Sequence, residues 1–126
     1  MTTSSALQTA LAYHRAWTSH DFERASSFLA ADLVCAAPSG QITGLADFRA
    51  FMEPFSQIMT SSQLLAAFGD DDTALLMYDT TTIPVPHAPA AELYTVVDGQ
   101  ITHVRIIFDR APFDAARAAA ADHPAS

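Results

Sequence analysis

The dipeptide Asp98-Gly99 lies between two segments rich in β-branched and aromatic residues, and it constrains the fold more than any other feature of the sequence. Asp-Gly favours the two-residue type I′ turn that joins adjacent antiparallel strands, because both turn positions need a positive φ. The flanking segments 92–97 and 100–109 are therefore predicted to form a β-hairpin.

Pairing across this turn predicts which side chains share a face of the sheet. With a regular two-residue turn, Tyr94 pairs with His103, and Glu92 pairs with Arg105. The face predicted to lie against helices then consists of Ala91, Leu93, Thr95, Thr102, Val104, Ile106 and Phe108. The other face mixes tyrosine, aliphatic and charged side chains. We expect it to form a homodimer interface, and the alternative is a partly apolar sheet face exposed to water.

The first half of the chain has mainly helical patterns. Apolar side chains recur at intervals of three and four over 7–17 and 45–59, and Asp21 can cap a helix between them. Pro54 can kink or split the third helix. Short apolar runs bounded by turn residues predict further strands at 33–37, 63–68 and 74–83. This order predicts an α+β fold, in which three N-terminal helices pack on one face of an antiparallel or mixed sheet.

Composition limits the classes of partner and compartment. The 126 residues suffice for one domain, predicted to span 1–110, with an Ala-rich tail at 111–126 that is expected to fray. A net charge of -8 disfavours nucleic acid and anionic membranes. One cysteine, no signal-peptide pattern and no apolar run of ~18 residues predict a cytoplasmic protein. Isolated glycines and scattered histidines predict neither a nucleotide cofactor nor a metal site.

Two parts of the chain resemble SnoaL-like domains of the nuclear-transport-factor-2-like superfamily. The matching segments are the helix with Tyr13 and Trp17, Asp21-Phe22, 28–32, 91–101 and 105–109. Together they cover roughly residues 5–110. The resemblance implies a cone-like fold, in which helices cap a curved sheet and leave a conical cavity for a small apolar organic ligand.

The catalytic acids of three related enzyme groups are not matched. Tyr13 corresponds to a tyrosine with which ketosteroid isomerases bind the substrate oxygen, but Ala37 stands where their aspartate base precedes a proline. Their second oxygen-binding residue falls near Ala91 or Leu93. Limonene-epoxide hydrolases and SnoaL polyketide cyclases carry an acidic residue at the position of Ile106. The resemblance therefore implies the fold, and none of these reactions.

The same resemblance assigns residues to the cavity. Matching strand 74–83 to these families directs Met77 and Asp79 inward, and a shift of one residue reverses this assignment. Asp79 is then a carboxylate in an apolar chamber, where desolvation suits it to proton transfer, with Tyr13 as hydrogen-bond donor. The predicted lining is Trp17, Cys35, Phe48, Met52, Phe55, Met77, Leu93, Thr95, Val104, Ile106 and Phe108, with His87 at the rim.

Two functions follow from this predicted site. The first is cofactor-independent isomerase, dehydratase or cyclase chemistry on a small apolar compound, with Asp79 as the acid or base. The second is a ligand-binding or dimeric interaction module without catalysis. The role of Asp79 separates the two functions. As a structural carboxylate, bonded to the backbone of 80–82 or to a neighbouring hydroxyl, it would have no chemical role.

Overall fold

The computed structural model describes residues 5–122. The helices are α1 (Ser5–Thr18), α2 (Phe22–Ser26), α3 (Leu45–Ile58) and α4 (Ala111–Asp122). The strands are β1 (Leu29–Ala37), β2 (Gly40–Thr43), β3 (Met59–Gly69), β4 (Thr73–Thr82), β5 (Ala88–Val97) and β6 (Gln100–Phe108). They form one sheet in the order β2-β1-β6-β5-β4-β3, in which β1 is parallel to β6 and the other neighbours are antiparallel.

The α+β class is confirmed, but the predicted set of three N-terminal helices is wrong. Residues 5–122 contain four helices, of which only α1 and α2 precede the sheet. α3 follows the hairpin of β1 and β2, and α4 follows the last strand. No helix within this range is both long and apolar enough to cross a membrane.

α1 and α3 cover the inner face of the sheet, and the core lies between them and the strands. Tyr13 and Trp17 are fully buried on α1, one helical turn apart. The Ser56 hydroxyl on α3 donates to the Trp17 carbonyl at 2.8 Å and ties the two helices together. Asp21 caps α2, as predicted, by accepting from the Arg24 amide. α3 continues through Pro54 without a split.

The predicted Asp98-Gly99 turn is confirmed, but the strand register changes beyond it. Both turn residues have positive φ, 52° and 76°. Thr95 pairs with His103 and Val96 with Ile101, so Thr102 is an extra residue in β6, a β-bulge.

Beyond the bulge the pairing is shifted by one residue. Tyr94 therefore pairs with Val104 and Glu92 with Ile106, and the predicted Glu92–Arg105 pair is wrong. Val104 and Ile106 are buried as predicted, and Glu92 and Tyr94 join them inside.

The predicted faces of β4 and of much of β5 are also wrong. Leu93 is 44% exposed and Met77 is 47% exposed. Asp79 lies on the same outer face and is exposed, whereas Tyr78 is buried. The alternative register noted for β4 is the correct one, because it buries an aromatic ring and leaves the carboxylate in water.

The C-terminal segment is helical rather than frayed over its described part. α4 spans Ala111–Asp122, and residues 123–126 lie outside the described range. The Phe113 ring packs edge-on against the rings of Phe108 and Phe55, with distances of 5.8 Å and 6.1 Å between ring centroids. α4 thus covers one end of the core. The domain boundary at residue 110 stays a prediction.

Candidate functional site

A pocket of about 370 Å³ opens between α3, α4 and the inner face of β4, β5 and β6. This volume equals that of about a dozen water molecules. Its lining is mainly apolar: Ser39, Phe51, Met52, Pro54, Phe55, Ile58, Tyr78, Ala88, Ala90, Ile106, Phe108, Arg110, Phe113 and Arg117. We call it the α3–α4 pocket.

The pocket exists because large side chains on α3 face small ones on β5. Phe51, Phe55 and Ile58 recur at helical spacing, so they form one wall. Ala88 and Ala90 occupy successive inward positions at the start of β5, where methyl groups leave the space unfilled. The next inward residue is Glu92, which is buried and does not line the pocket.

Glu92 is fully buried and lies outside the wall of the pocket. The Tyr94 hydroxyl donates to Glu92 Oε2 at 2.8 Å. Tyr78 pairs with Ala90, so it lies diagonally across from Glu92 on the same buried face of the sheet. Burial raises the pKa of Glu92 to about 7, although the neighbouring hydroxyls of Tyr94 and Tyr78 favour the charged form. A carboxyl group with this pKa is populated in both protonation states near neutral pH.

Tyr78 connects Glu92 to the pocket. Its side chain lines the α3–α4 pocket, and the same side chain is a diagonal cross-strand neighbour of the glutamate. Burial, together with the charge of Glu92, raises the pKa of Tyr78 well above 10, so the phenol keeps its proton. Tyr78 can therefore pass a proton on while remaining neutral before and after the transfer.

Three more side chains surround this pair. The His14 ring lies 4.7 Å from the Tyr78 ring, and the Tyr13 ring lies 5.9 Å from the Tyr94 ring, both measured between centroids. Burial lowers the pKa of His14 to about 4, so this histidine is neutral at physiological pH. Tyr13, His14, Tyr78, Glu92 and Tyr94 are named the buried polar cluster.

The buried polar cluster contains unpaired polar atoms. Tyr13 Oη, His14 Nδ1 and Glu92 Oε1 have no hydrogen-bond partner within residues 5–122. Each unpaired buried polar group costs roughly 1–3 kcal/mol. A fold that retains several of them in one place has polar capacity available for a ligand or a reaction.

The predicted catalytic, lining and rim residues divide into three groups. Met52, Phe55, Ile106 and Phe108 line the α3–α4 pocket. Tyr13, Trp17, Cys35, Phe48 and Val104 are buried outside its wall. Asp79, Met77 and Leu93 are exposed on the outer sheet face, Thr95 is half-buried, and His87 lies exposed in the loop before β5.

Glu92, and not the predicted Asp79, is therefore the carboxyl group placed to act as an acid or base near the pocket. Asp79 faces water and cannot act in a pocket on the opposite face of the sheet. Burial raises the pKa of the Cys35 thiol to about 12, which makes this cysteine a poor nucleophile.

Sequence reasoning missed Glu92, Tyr78, Phe113 and both pocket arginines. Glu92 lacks any local signal, because a glutamate in a strand is normally exposed and the bulge that turns it inward has no sequence signature. Tyr78 did carry a sequence signal, because a tyrosine next to an aspartate in a strand is the better candidate of the two for burial.

Known proteins provide a separate comparison. The sequence profile of the SnoaL-like domain family matches residues 10–104. No curated protein shows a significant match to the sequence. A protein of known structure from Kribbella flavida DSM 17836 is 62% identical, with 95% of this chain and 99% of that chain covered and a TM-score of 0.92.

Two more distant structures share the fold. An NTF2-like protein of unknown function from Cytophaga hutchinsonii ATCC 33406 is 22% identical, with 90% of this chain and 97% of that chain covered and a TM-score of 0.75. A protein from Kribbella flavida DSM 17836 named as a candidate ketosteroid isomerase is 20% identical. The match covers 85% of this chain and 79% of that chain, with a TM-score of 0.71. At these identities the likeness extends to the fold alone.

Proposed function

This chain belongs to the SnoaL-like domain family, and from that membership we propose that it binds a small apolar organic molecule in the α3–α4 pocket and moves a proton there. Tyr78 and Glu92 carry the proton, in isomerase-, dehydratase- or cyclase-type chemistry that needs no cofactor. One observation carries the proposal: the tyrosine that lines an apolar pocket is the diagonal cross-strand neighbour of a fully buried glutamate.

The proton path has two steps. Tyr78 donates its hydroxyl proton to an oxygen atom of the ligand, and protonated Glu92 replaces that proton. The net result is one proton moved from Glu92 to the ligand, and the reverse transfer restores both residues. A pKa of about 7 suits this exchange, because general acid–base catalysis is most efficient when the pKa of the group lies near the working pH.

A binding module without catalysis is the second candidate, and the composition of the wall favours it. Among the described residues that line the pocket, none is an aspartate, a glutamate or a histidine. Tyr78 is also almost fully buried, so a ligand contacts little of it without local movement. In this reading, the α3–α4 pocket recognises its ligand mainly by shape and apolar contact and carries out no reaction on it.

Deuterium exchange into 2-acetonaphthone distinguishes the two functions. This two-ring ketone carries acidic methyl protons next to its carbonyl group, and proton NMR in heavy water follows their loss. With the carbonyl oxygen protonated through Tyr78, a methyl proton leaves to water and a deuteron later takes its place. We expect the protein to accelerate the exchange, and Glu92→Gln and Tyr78→Phe to slow it by about a hundredfold.

Asp79→Asn is the matched control, because it removes an exposed carboxylate on the other face of the sheet. It should leave the exchange rate unchanged. If 2-acetonaphthone binds but its exchange is not accelerated, the binding module is correct and the proton transfer is wrong. Equal rates in the Glu92→Gln variant and the unmodified protein would reject Glu92 as the proton donor.

A homodimer is also proposed, through the outer face of β4, β5 and β6. Leu75 pairs with Leu93 across β4 and β5, and both are exposed. Met77 and Ile107 lie on either side of Ala91, so the exposed apolar side chains extend across three strands. A contiguous apolar patch of this kind typically marks a protein interface. The cytoplasmic location stays a prediction.

A further inference from the structure

Two arginines line the α3–α4 pocket, in a chain with only six basic side chains and a net charge of -8. Arg110 follows β6, and Arg117 lies on α4. Both are exposed, so they lie at the solvent end of the pocket, whereas buried Tyr78 lies at its inner end. An acidic surface repels anions on average, and this pair of guanidinium groups makes the pocket mouth a local exception.

α4 holds the two arginines toward the pocket. The Asp114 amide donates to the Arg110 carbonyl at 2.9 Å, which fixes Arg110 at the start of the helix. Phe113 and Arg117 are four residues apart and share one face of α4. Because Phe113 packs against Phe108, the same face turns Arg117 to the pocket.

Neighbouring carboxylates do not neutralise both arginines. Arg117 pairs with Asp114, whereas Arg110 forms no ion pair within residues 5–122. Asp109 accepts a hydrogen bond from the Ala111 amide at 3.0 Å and does not line the pocket. The pocket mouth therefore presents one guanidinium group, that of Arg110, without a carboxylate partner within residues 5–122, beside an apolar wall.

We propose that the ligand is an amphipathic carboxylate, such as a carboxylic acid with one or two rings, whose carboxylate meets Arg110 and Arg117. Its apolar body fills the space between α3 and β5. Guanidinium groups bind carboxylates through two parallel hydrogen bonds, which gives both affinity and orientation. This inference rests on the proposed function and names its substrate class. It also orients the ligand, because the end opposite the carboxylate lies at Tyr78.

Calorimetric titration with two matched probes tests the inference. 2-Naphthoate carries the carboxylate, and 2-naphthalenemethanol has the same rings with an uncharged group. We expect 2-naphthoate to bind at least about tenfold more tightly. Arg110→Met and Arg117→Met should each weaken 2-naphthoate binding by about tenfold and leave the alcohol unchanged. Arg24→Met, which changes an exposed arginine outside the pocket, is the control.

Each other outcome rejects a specific claim. If both probes bind equally and neither pocket substitution matters, the carboxylate preference is wrong and the apolar pocket of the proposed function stands. If neither probe binds, the proposed function fails together with the inference. If Arg24→Met weakens 2-naphthoate binding as much as Arg110→Met, the attraction comes from overall charge and the assignment to the two arginines is wrong.

Discussion

When the chain folds, Glu92 leaves water and becomes buried among tyrosine side chains. Its ionisation therefore changes the free energy of unfolding. Its pKa rises from 4.5 to about 7. Because the folded-state pKa is the higher one, the contribution of Glu92 to stability is fully present below pH 4.5 and is lost as pH rises through 7. One pKa unit corresponds to about 1.4 kcal/mol, so the loss between pH 5 and pH 8 is about 2 to 3 kcal/mol.

The Glu92→Gln variant should lose this pH dependence, because an amide does not ionise. Relative to the unmodified protein, its free energy of unfolding should rise by about 2 to 3 kcal/mol from pH 5 to pH 8, measured by urea denaturation. An unchanged difference between the two proteins at these pH values would show that Glu92 does not titrate in this range. Asp79→Asn, at an exposed site, serves as the control.

Because His14 also affects the pH dependence of stability, the contribution of Glu92 has to be measured as a difference between two variants. The pH profile of the unmodified protein alone does not give it. The pKa of His14 is lowered from 6.5 to about 4. Its contribution to stability is therefore fully present above pH 6.5 and is lost as pH falls through 4, opposite in direction to that of Glu92. The unmodified protein sums both effects, whereas its difference from Glu92→Gln isolates the glutamate.

Individual elements were predictable where local chemistry determines them. The Asp98-Gly99 turn follows from backbone preferences of two residues, and the Asp21 cap follows from one side chain. The face of each strand was less predictable, because it depends on pairing with distant residues. The extra residue Thr102 shifts the pairing by one residue, so Glu92 lies on the same face as Val104 and Ile106 instead of the opposite one. The sequence pattern therefore predicted the hairpin correctly but placed Glu92 on the wrong face.

α4 depends on a single aromatic anchor, so its stability should respond to that residue. Phe113→Ala removes the contacts with Phe55 and Phe108 from a helix whose other side chains are mostly alanine. Hydrogen exchange followed by mass spectrometry should show faster exchange in 111–122 and unchanged exchange in the sheet. Phe68→Ala, at a 68% exposed site on β3, should leave α4 as it was. Retained protection of α4 in Phe113→Ala would contradict the single anchor.

On the scale of the whole molecule, the outer sheet face and the net charge act in opposite directions. Two copies with a charge of -8 each repel one another, whereas burial of Leu75, Leu93 and Ile107 favours association. Asp79 and Arg105 are both exposed on this same face, so their opposite charges cancel there and the face itself is less acidic than the rest of the chain.

Size-exclusion chromatography with light scattering tests the dimer. We expect twice the 13.5 kDa of one chain for the unmodified protein and a single-chain mass for Ile107→Asp. Ile83→Asp is the matched control, because Ile83 is also exposed but precedes β5 in a loop. A charge at Ile107 would be desolvated in the interface and would cost more than the pairing supplies, whereas the same charge at Ile83 stays in water. A single-chain mass for the unmodified protein, or equal masses for the two variants, would place the interface elsewhere or remove it.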